Sequence, residues 1–210
     1  MKLLILCPQW GSEHLSLEDF FAKVKEAGYY GVDTWLPEDV NERKKFKSLL
    51  DKYQLEIVSH QHQAKGNNID EYCKSLEYYL SLSLECNPLL INSHSGRDYF
   101  SMNDQLKVID TVEEFSLKHN IIVAHETHRG RIGYSPYNAI ELFNQRPAMK
   151  ITADFSHWTC VTESFWSIHL KLWKKQLSAQ NTFMQGLATH KGHKYPIQDL
   201  LHGRSLLISF

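Results

Sequence analysis

The chain has 210 residues, 42% hydrophobic and 22% charged, enough to bury one sizeable core in a single domain. A net charge of −1 and a pI near 6.9 argue against a nucleic-acid channel, which needs clustered Lys and Arg for phosphate contacts. No stretch approaches the ~18 apolar residues of a membrane span.

In chain order, short β-branched or apolar runs alternate with longer amphipathic segments. The opening MKLLILC is too short an apolar run for a signal peptide. It reads as a buried first strand (3–6). Residues 16–28 predict a helix, with Leu17, Phe20, Phe21 and Val24 at helical spacing, Ser16 and Asp19 as a capping pair, and Gly28 as the C-terminal stop. GVDTW (31–35) predicts a strand and 41–53 a helix; EIVSH (56–60) a strand and 69–85 a helix; PLLINSH (88–94) a strand and 104–119 a helix. IIVAHE (121–126) precedes a helix at 135–145, with Ser135 as cap and Pro136 in its first turn, and MKITADF (149–155) is a sixth strand.

Consecutive strand–helix units imply a parallel sheet, either open and doubly wound or closed as a barrel. PQWGSEH follows the first strand where a dinucleotide-binding sheet would carry a glycine-rich turn, so the open sheet loses ground. Polar residues gather at strand ends: His60 and His62, Asn92 and His94, His125, Glu126 and His128, Asp154 and His157. In a (β/α) barrel those ends converge on one face, which carries the active site. Four successive strand ends bearing His, with Glu126 and Asp154, offer the imidazole and carboxylate mix that suits Mn, Co, Mg or Zn. For each single His the plainer reading, a residue oriented by its neighbours, stays open. His14, His119, Arg43, Lys44 and Lys45 read as solvated faces, and Asp33 and Trp35 as either pocket or core. Cys7, Cys73, Cys86 and Cys160 are widely spaced, with no CxxC pair, which favours a reducing compartment; the expected location is cytoplasmic.

HETHRGR (125–131) followed by ADFSHW (153–158) resembles the fifth and sixth strand-end motifs of the xylose isomerase-like barrel superfamily, in its sugar phosphate isomerase/epimerase branch. NSHSGRDYF (92–100) and AGYYGVDTW (27–35) are similar to its fourth and second strand motifs. The resemblance covers residues 1 to about 165 and implies an α/β fold of the (β/α)8 TIM-barrel type, of which six strands are readable here. It implies a divalent metal held by a Glu after strand five and an Asp after strand six, which fall on Glu126 and Asp154. The other two family ligands are a His after strand seven and a Glu after strand eight. It further implies a metal-dependent isomerase or epimerase of a sugar, sugar phosphate or related hydroxy-carbonyl compound, working through a metal-stabilised enediolate. In that reading Glu126 is a ligand and either also the catalytic base or ligand only. His60 and His94 contact substrate, His157 contacts substrate or a second metal, and Arg129, with Arg131, holds a substrate phosphate or carboxylate or is a solvated loop charge. The expected partner is a small carbohydrate-like molecule, with neither nucleic acid nor membrane; a homo-oligomer is compatible with it.

After Ser164 the resemblance stops. Read one base out of frame, Phe165 into Trp166 is forced to Leu and Met184 into Gln185 to Ala. The codons from Thr182 to Gln198 permit I-H-A-R-V-G-Y-T-Q-G-P-Q-I-P-D-P, the family's missing strand-seven motif. Residues 1–165 are therefore expected to form barrel units one to six, and 166–210 an out-of-frame tail adding no well-formed strands seven and eight. The alternatives are an authentic divergent tail, a catalytically inactive fragment of such an enzyme, and an endonuclease IV-like repair nuclease, which the charge balance disfavours.

Overall fold

The computed structural model describes residues 3–164 and two further strands, 182–184 and 205–208. Strand β1 (Leu3–Pro8) leads into α1 (Leu17–Glu26), β2 (Gly31–Trp35), α2 (Val40–Tyr53), β3 (Glu56–Gln61) and α3 (Ile69–Ser83). A 3-10 turn (Leu84–Cys86), β4 (Leu90–Ser93), α4 (Met102–His119), β5 (Val123–Glu126), α5 (Pro136–Gln145), β6 (Ile151–Ala153) and α6 (Phe155–Thr162) follow. Polar N-caps start these helices. Ser16, Asp39, Asn68, Ser101, Ser135 and Asp154 each accept from a backbone N–H of the first turn, satisfying donors that a helix leaves orphaned. Gly28 follows α1 at φ 77°, the left-handed conformation that a side chain resists.

Strands β1 to β6 pair in parallel and in sequence order, each joined to the next by a helix. The sixth element departs from expectation: Phe155, read as the end of a strand, opens α6, and Asp154 caps that helix. The tail departs as well. Thr182–Met184 (β7) pairs in parallel with β6, and Ser205–Ile208 (β8) pairs antiparallel with β1. The free edges of β6 and β1 present unpaired backbone groups that an extended segment satisfies. An antiparallel β8 is nonetheless foreign to an all-parallel barrel order. β7 falls on the codons whose shifted reading permits I-H-A. Its side chains, and the rest of 166–210, lie outside the described residues.

Two apolar clusters lie between sheet and helices. One joins α1 and α2 to β2 and β3 through Phe20, Phe21, Val32, Phe46 and Ile57. The larger joins α3, α4 and α5 to β4–β6 through Leu76, Leu80, Ile91, Ile109, Leu142 and Ile151. A third, small cluster of Leu6, Val58, Leu90 and Ala124 comes from the alternate positions of β1, β3, β4 and β5 and so fills the opposite, inner face. Arg43 corrects the expectation of a solvated face. It is buried, its guanidinium paired with both oxygens of Glu85 and donating to the carbonyls of Pro37 and Glu38. Five fixed donors outweigh its surface-like run of neighbours.

The β2–β3 approach leaves no room at Gly31, where an added Cβ would lie 2.1 Å from the Glu56 carbonyl oxygen. Gly31→Ala is expected to lower unfolding free energy by about 1–3 kcal/mol, read as a fall in the urea midpoint. An unchanged midpoint would mean that this strand contact is not as close as described.

Candidate functional site

Period-two alternation builds the site. Val58, Leu90 and Ala124 face inward, so His60, Asn92 and Glu126, two residues further along their strands, face inward one layer higher. Val32, Ile151 and Ala153 pack outward under the helices, which turns Asp33 and Asp154 to the same interior. Two residues further still, Trp35, His62, His94 and His128 stand at the mouth. Their rings run in an arc: Trp35 to His62 at 5.6 Å, His62 to His94 at 6.2 Å, His94 to His128 at 4.9 Å, and His128 to His157 at 3.8 Å.

Glu126 is the centre. It is 4% exposed, and Asn92 Nδ2 donates to its Oε2 at 2.5 Å. His94 Nε2 lies 2.7 Å from the same oxygen, while His157 Nε2 lies 3.8 Å from Oε1. Burial pushes the Glu126 carboxyl up, but the imidazole charges of His94 and His60 outweigh it and hold the group down to about 2. On the other flank of the layer, His60 Nε2 pairs with Asp33 Oδ1. Burial alone would depress His60; the Asp33 carboxylate, aided by Glu126, raises it above the usual imidazole value instead. Burial depresses His62 and His128 and takes His157 down to about 4, so these rings favour the neutral, lone-pair-bearing form.

Asp154 faces the same cavity, its Oδ2 3.8 Å from His157 Nε2. Its Oδ1 accepts from the Ser156 backbone and hydroxyl, and burial with the nearby Glu126 charge raises its carboxyl above the usual range. Thr127 clamps the two strand ends together: its Oγ1 accepts from Asp154 N at 2.8 Å and donates to Asp154 O at 3.0 Å. Of the residues singled out from sequence, Glu126, Asp154, His60, His94 and His157 meet here. Arg129 is exposed at the rim, and Arg131 reaches across to the His62 carbonyl at 3.4 Å. Asn92, His62 and His128, grouped with them at the strand ends but given no role, and Asp33, read as pocket or core, join the site. Their signal in the sequence is the repeated i, i+2 spacing at strand ends, as in His60/His62, Asn92/His94 and Glu126/His128.

The donor atoms suit a cation. His60, His94 and Glu126 bring one ligand atom each within 4.8 Å of one another, and so do Glu126, His128 and His157. His94 Nε2 is buried and close to a carboxylate yet off the hydrogen-bond direction, and His157 Nδ1 is buried without a hydrogen-bond partner. An imidazole nitrogen this close to a carboxylate oxygen is satisfied either by a proton on the ring or by a positive ion held between the two.

An inward layer of carboxylates and imidazoles at the C-terminal ends of sequential parallel strands is the arrangement of a (β/α) barrel with its polar site at one end. The chain belongs to the xylose isomerase-like TIM barrel family, whose model matches residues 21–195. Among solved structures it is similar to the probable 3-DHS dehydratase AsbF of Bacillus anthracis, involved in petrobactin synthesis (17% identity, TM-score 0.56, 82% of this chain and 70% of that one). It is also similar to a sugar phosphate isomerase/epimerase of Parabacteroides distasonis (12%, TM-score 0.56, 81% and 71%). A third is a xylose isomerase-like TIM barrel protein of Mycobacterium smegmatis in complex with magnesium (11%, TM-score 0.59, 90% and 71%). At these identities the likeness establishes the fold. No curated protein matches the chain. Among the described residues no helix is long and apolar enough to cross a membrane.

His125, beside Glu126 in sequence, faces the other way and is held down to about 4 by burial, against an ordinary 6.5. Because the unfolded chain binds this proton more readily, the stability tied to the neutral ring is full above about pH 6.5. It falls by about 1.4 kcal/mol per pH unit as pH drops toward 4. His157 titrates in the same window, whereas the contribution of Glu126 is lost only as pH falls through about 2. His125→Gln should therefore flatten, without abolishing, the decline in urea midpoint between pH 6.5 and 4.5; an unaltered slope would contradict a buried neutral His125.

Proposed function

We propose that this barrel is a divalent-metal-dependent isomerase or epimerase that moves a proton on the carbon next to a carbonyl in a small polyhydroxy compound, a sugar or sugar phosphate. The observation that carries the reading is the meeting of two interior carboxylates at the strand ends, with His157 Nε2 3.8 Å from an oxygen of each; their surroundings draw the Glu126 carboxyl down and the Asp154 carboxyl up. Separated pKa values on neighbouring carboxyls are the mark of two roles.

Glu126, with His60 and His94, would hold the cation. A bound divalent ion supplies Lewis-acid polarisation of the substrate carbonyl and its adjacent hydroxyl. Asp154, the carboxyl nearer to a working pH, takes the proton from carbon and returns it to the neighbouring carbon on the same face in an isomerisation; in an epimerisation a second acid, across the substrate from Asp154, delivers the proton to the opposite face. His157 stands between the carboxylates and orients the substrate hydroxyl, and the arc from Trp35 to His128 walls the mouth against water. Arg129 at the rim meets a substrate phosphate. The metal is one of Mn, Co, Mg or Zn. Dehydration, the reaction in the name of the B. anthracis neighbour, begins with the same proton removal, so hydroxy-keto acids belong in the substrate panel.

The test is exchange of substrate C–H for solvent deuterium, followed by proton NMR over ketoses, aldoses and their phosphates with each metal. It is run on this chain and on one with the shifted frame restored after Ser164. Exchange only in the restored chain would make the present one an inactive fragment; exchange in neither, with metal bound, would refute the reading. Within an active chain, Glu126→Gln is expected to lose both metal and turnover. Asp154→Asn is expected to keep the metal while kcat falls by about 10²–10⁴. An Asp154→Asn variant with unchanged kcat would remove Asp154 from proton transfer.

A further inference from the structure

Strands β5 and β6 pair through Glu126 and Thr152, and the last backbone rung between them runs from Thr127 N to Thr152 O at 3.0 Å. Beyond it β5 turns away, with the His128 N–H folded back onto the Glu126 carbonyl at 2.7 Å. A parallel ladder would next join the Asp154 N–H to a β5 carbonyl. The Thr127 hydroxyl takes that rung instead. Its Oγ1 accepts from Asp154 N at 2.8 Å and donates to Asp154 O at 3.0 Å, nearer than the Thr152 carbonyl at 3.5 Å. One O–H and two lone pairs allow both bonds at once. Both main-chain polar groups of Asp154 are thus held by one side chain, 1% exposed, that adjoins Glu126 in sequence.

Asp154 stands between the end of β6 and the start of α6, at φ −103° and ψ 93°, so neither element fixes its backbone. Its carboxyl is anchored by one oxygen: Oδ1 accepts from Ser156 N at 2.9 Å and from Ser156 Oγ at 2.6 Å. That leaves Oδ2 to face His157 and the cavity. We propose that Thr127 is a positioning residue, whose hydroxyl, carried on the Glu126 strand, sets where Asp154 Oδ2 meets the substrate carbon. Glu126 itself is oriented from the other side, by Asn92 and His94, so Thr127 acts on the proton-moving carboxyl alone. The inference rests on Asp154 moving the proton, as the proposed function requires.

The experiment separates the two claims. Thr127→Val keeps the shape of the side chain and removes its hydroxyl; Thr127→Ala makes the same test where the extra methyl strains the fold. In whichever chain exchanges substrate C–H, present or frame-restored, either variant is expected to lower kcat by about 10–10²-fold, the cost of a displaced reacting group. KM, circular dichroism and the affinity for titrated Mn should stay those of the parent. Thr127→Ser, which keeps the hydroxyl, should recover most of the loss. Placed on Asp154→Asn, Thr127→Val should slow turnover little further, since a residue that acts through Asp154 has nothing left to position. Independently of activity, amide hydrogen exchange at Asp154 in the present chain should quicken in Thr127→Val and stay slow in Thr127→Ser. An unchanged kcat in Thr127→Val, or a full additive loss on Asp154→Asn, would overturn the positioning role and leave the proton-transfer reading intact. Unchanged exchange at the Asp154 amide would overturn the hydrogen bond on which the role depends. Full kcat in Asp154→Asn, or no substrate exchange in either chain, would overturn both.

Discussion

An ionised carboxylate buried at the end of β5 is the constraint around which the interior is organised. Moving such a group out of water costs several kcal/mol unless neighbours return the lost solvation. Around Glu126 that compensation comes from the Asn92 amide and from His94 and His60, all on the two preceding strands. Asp33 in turn compensates His60, so charge alternates along the chain Asp33, His60, Glu126 across the sheet. Removing a member leaves its neighbour buried and unpaired. The polar layer is therefore a unit rather than a set of separate contacts.

That unit can exist because the layer beneath it is apolar and the layer above it is open. Leu6, Val58, Leu90 and Ala124 close the interior below the carboxylate layer. The histidines above stand at loop positions, where Arg97 donates to Ala64 O and Arg131 reaches the His62 carbonyl, stitching neighbouring loops together. The gradient from dry to wet along the barrel axis explains the divergent titration of like residues. His125, in the outer core, sinks to about 4, while His60, facing the cavity, rises because Asp33 accompanies it.

The family fold carries little of this by itself, since barrels of this kind share architecture across different chemistries. Substituents on the strand ends decide the chemistry. Here imidazoles outnumber carboxylates among the described residues around the cavity, a donor balance that would favour borderline cations in the proposed site.

Much was legible in the sequence because its signals are local. Helix spacing, the caps at Ser16, Ser135 and Pro136, and β-branched runs located six strand–helix units within a few residues, and strand-end polarity singled out Glu126, Asp154, His60, His94 and His157. Local signals also explain the misplacements. Phe155 looks like strand because it is apolar, yet Asp154 caps a helix there, and Arg43 looks like surface because it sits among lysines, yet Glu85, forty-two residues away, buries it. Parity within a strand was written in the sequence too, but which parity faces inward depends on which side the helices cover. That is a property of how the helices pack on the sheet, and it turned Asn92, Asp33 and His128 toward the interior. Distance decided the rest. The approach of His94 and His157 to opposite oxygens of one carboxylate joins three strand ends, and no spacing along the chain encodes it. The sequence by itself determined the elements and the chemistry on offer; tertiary packing decided which groups share a charge.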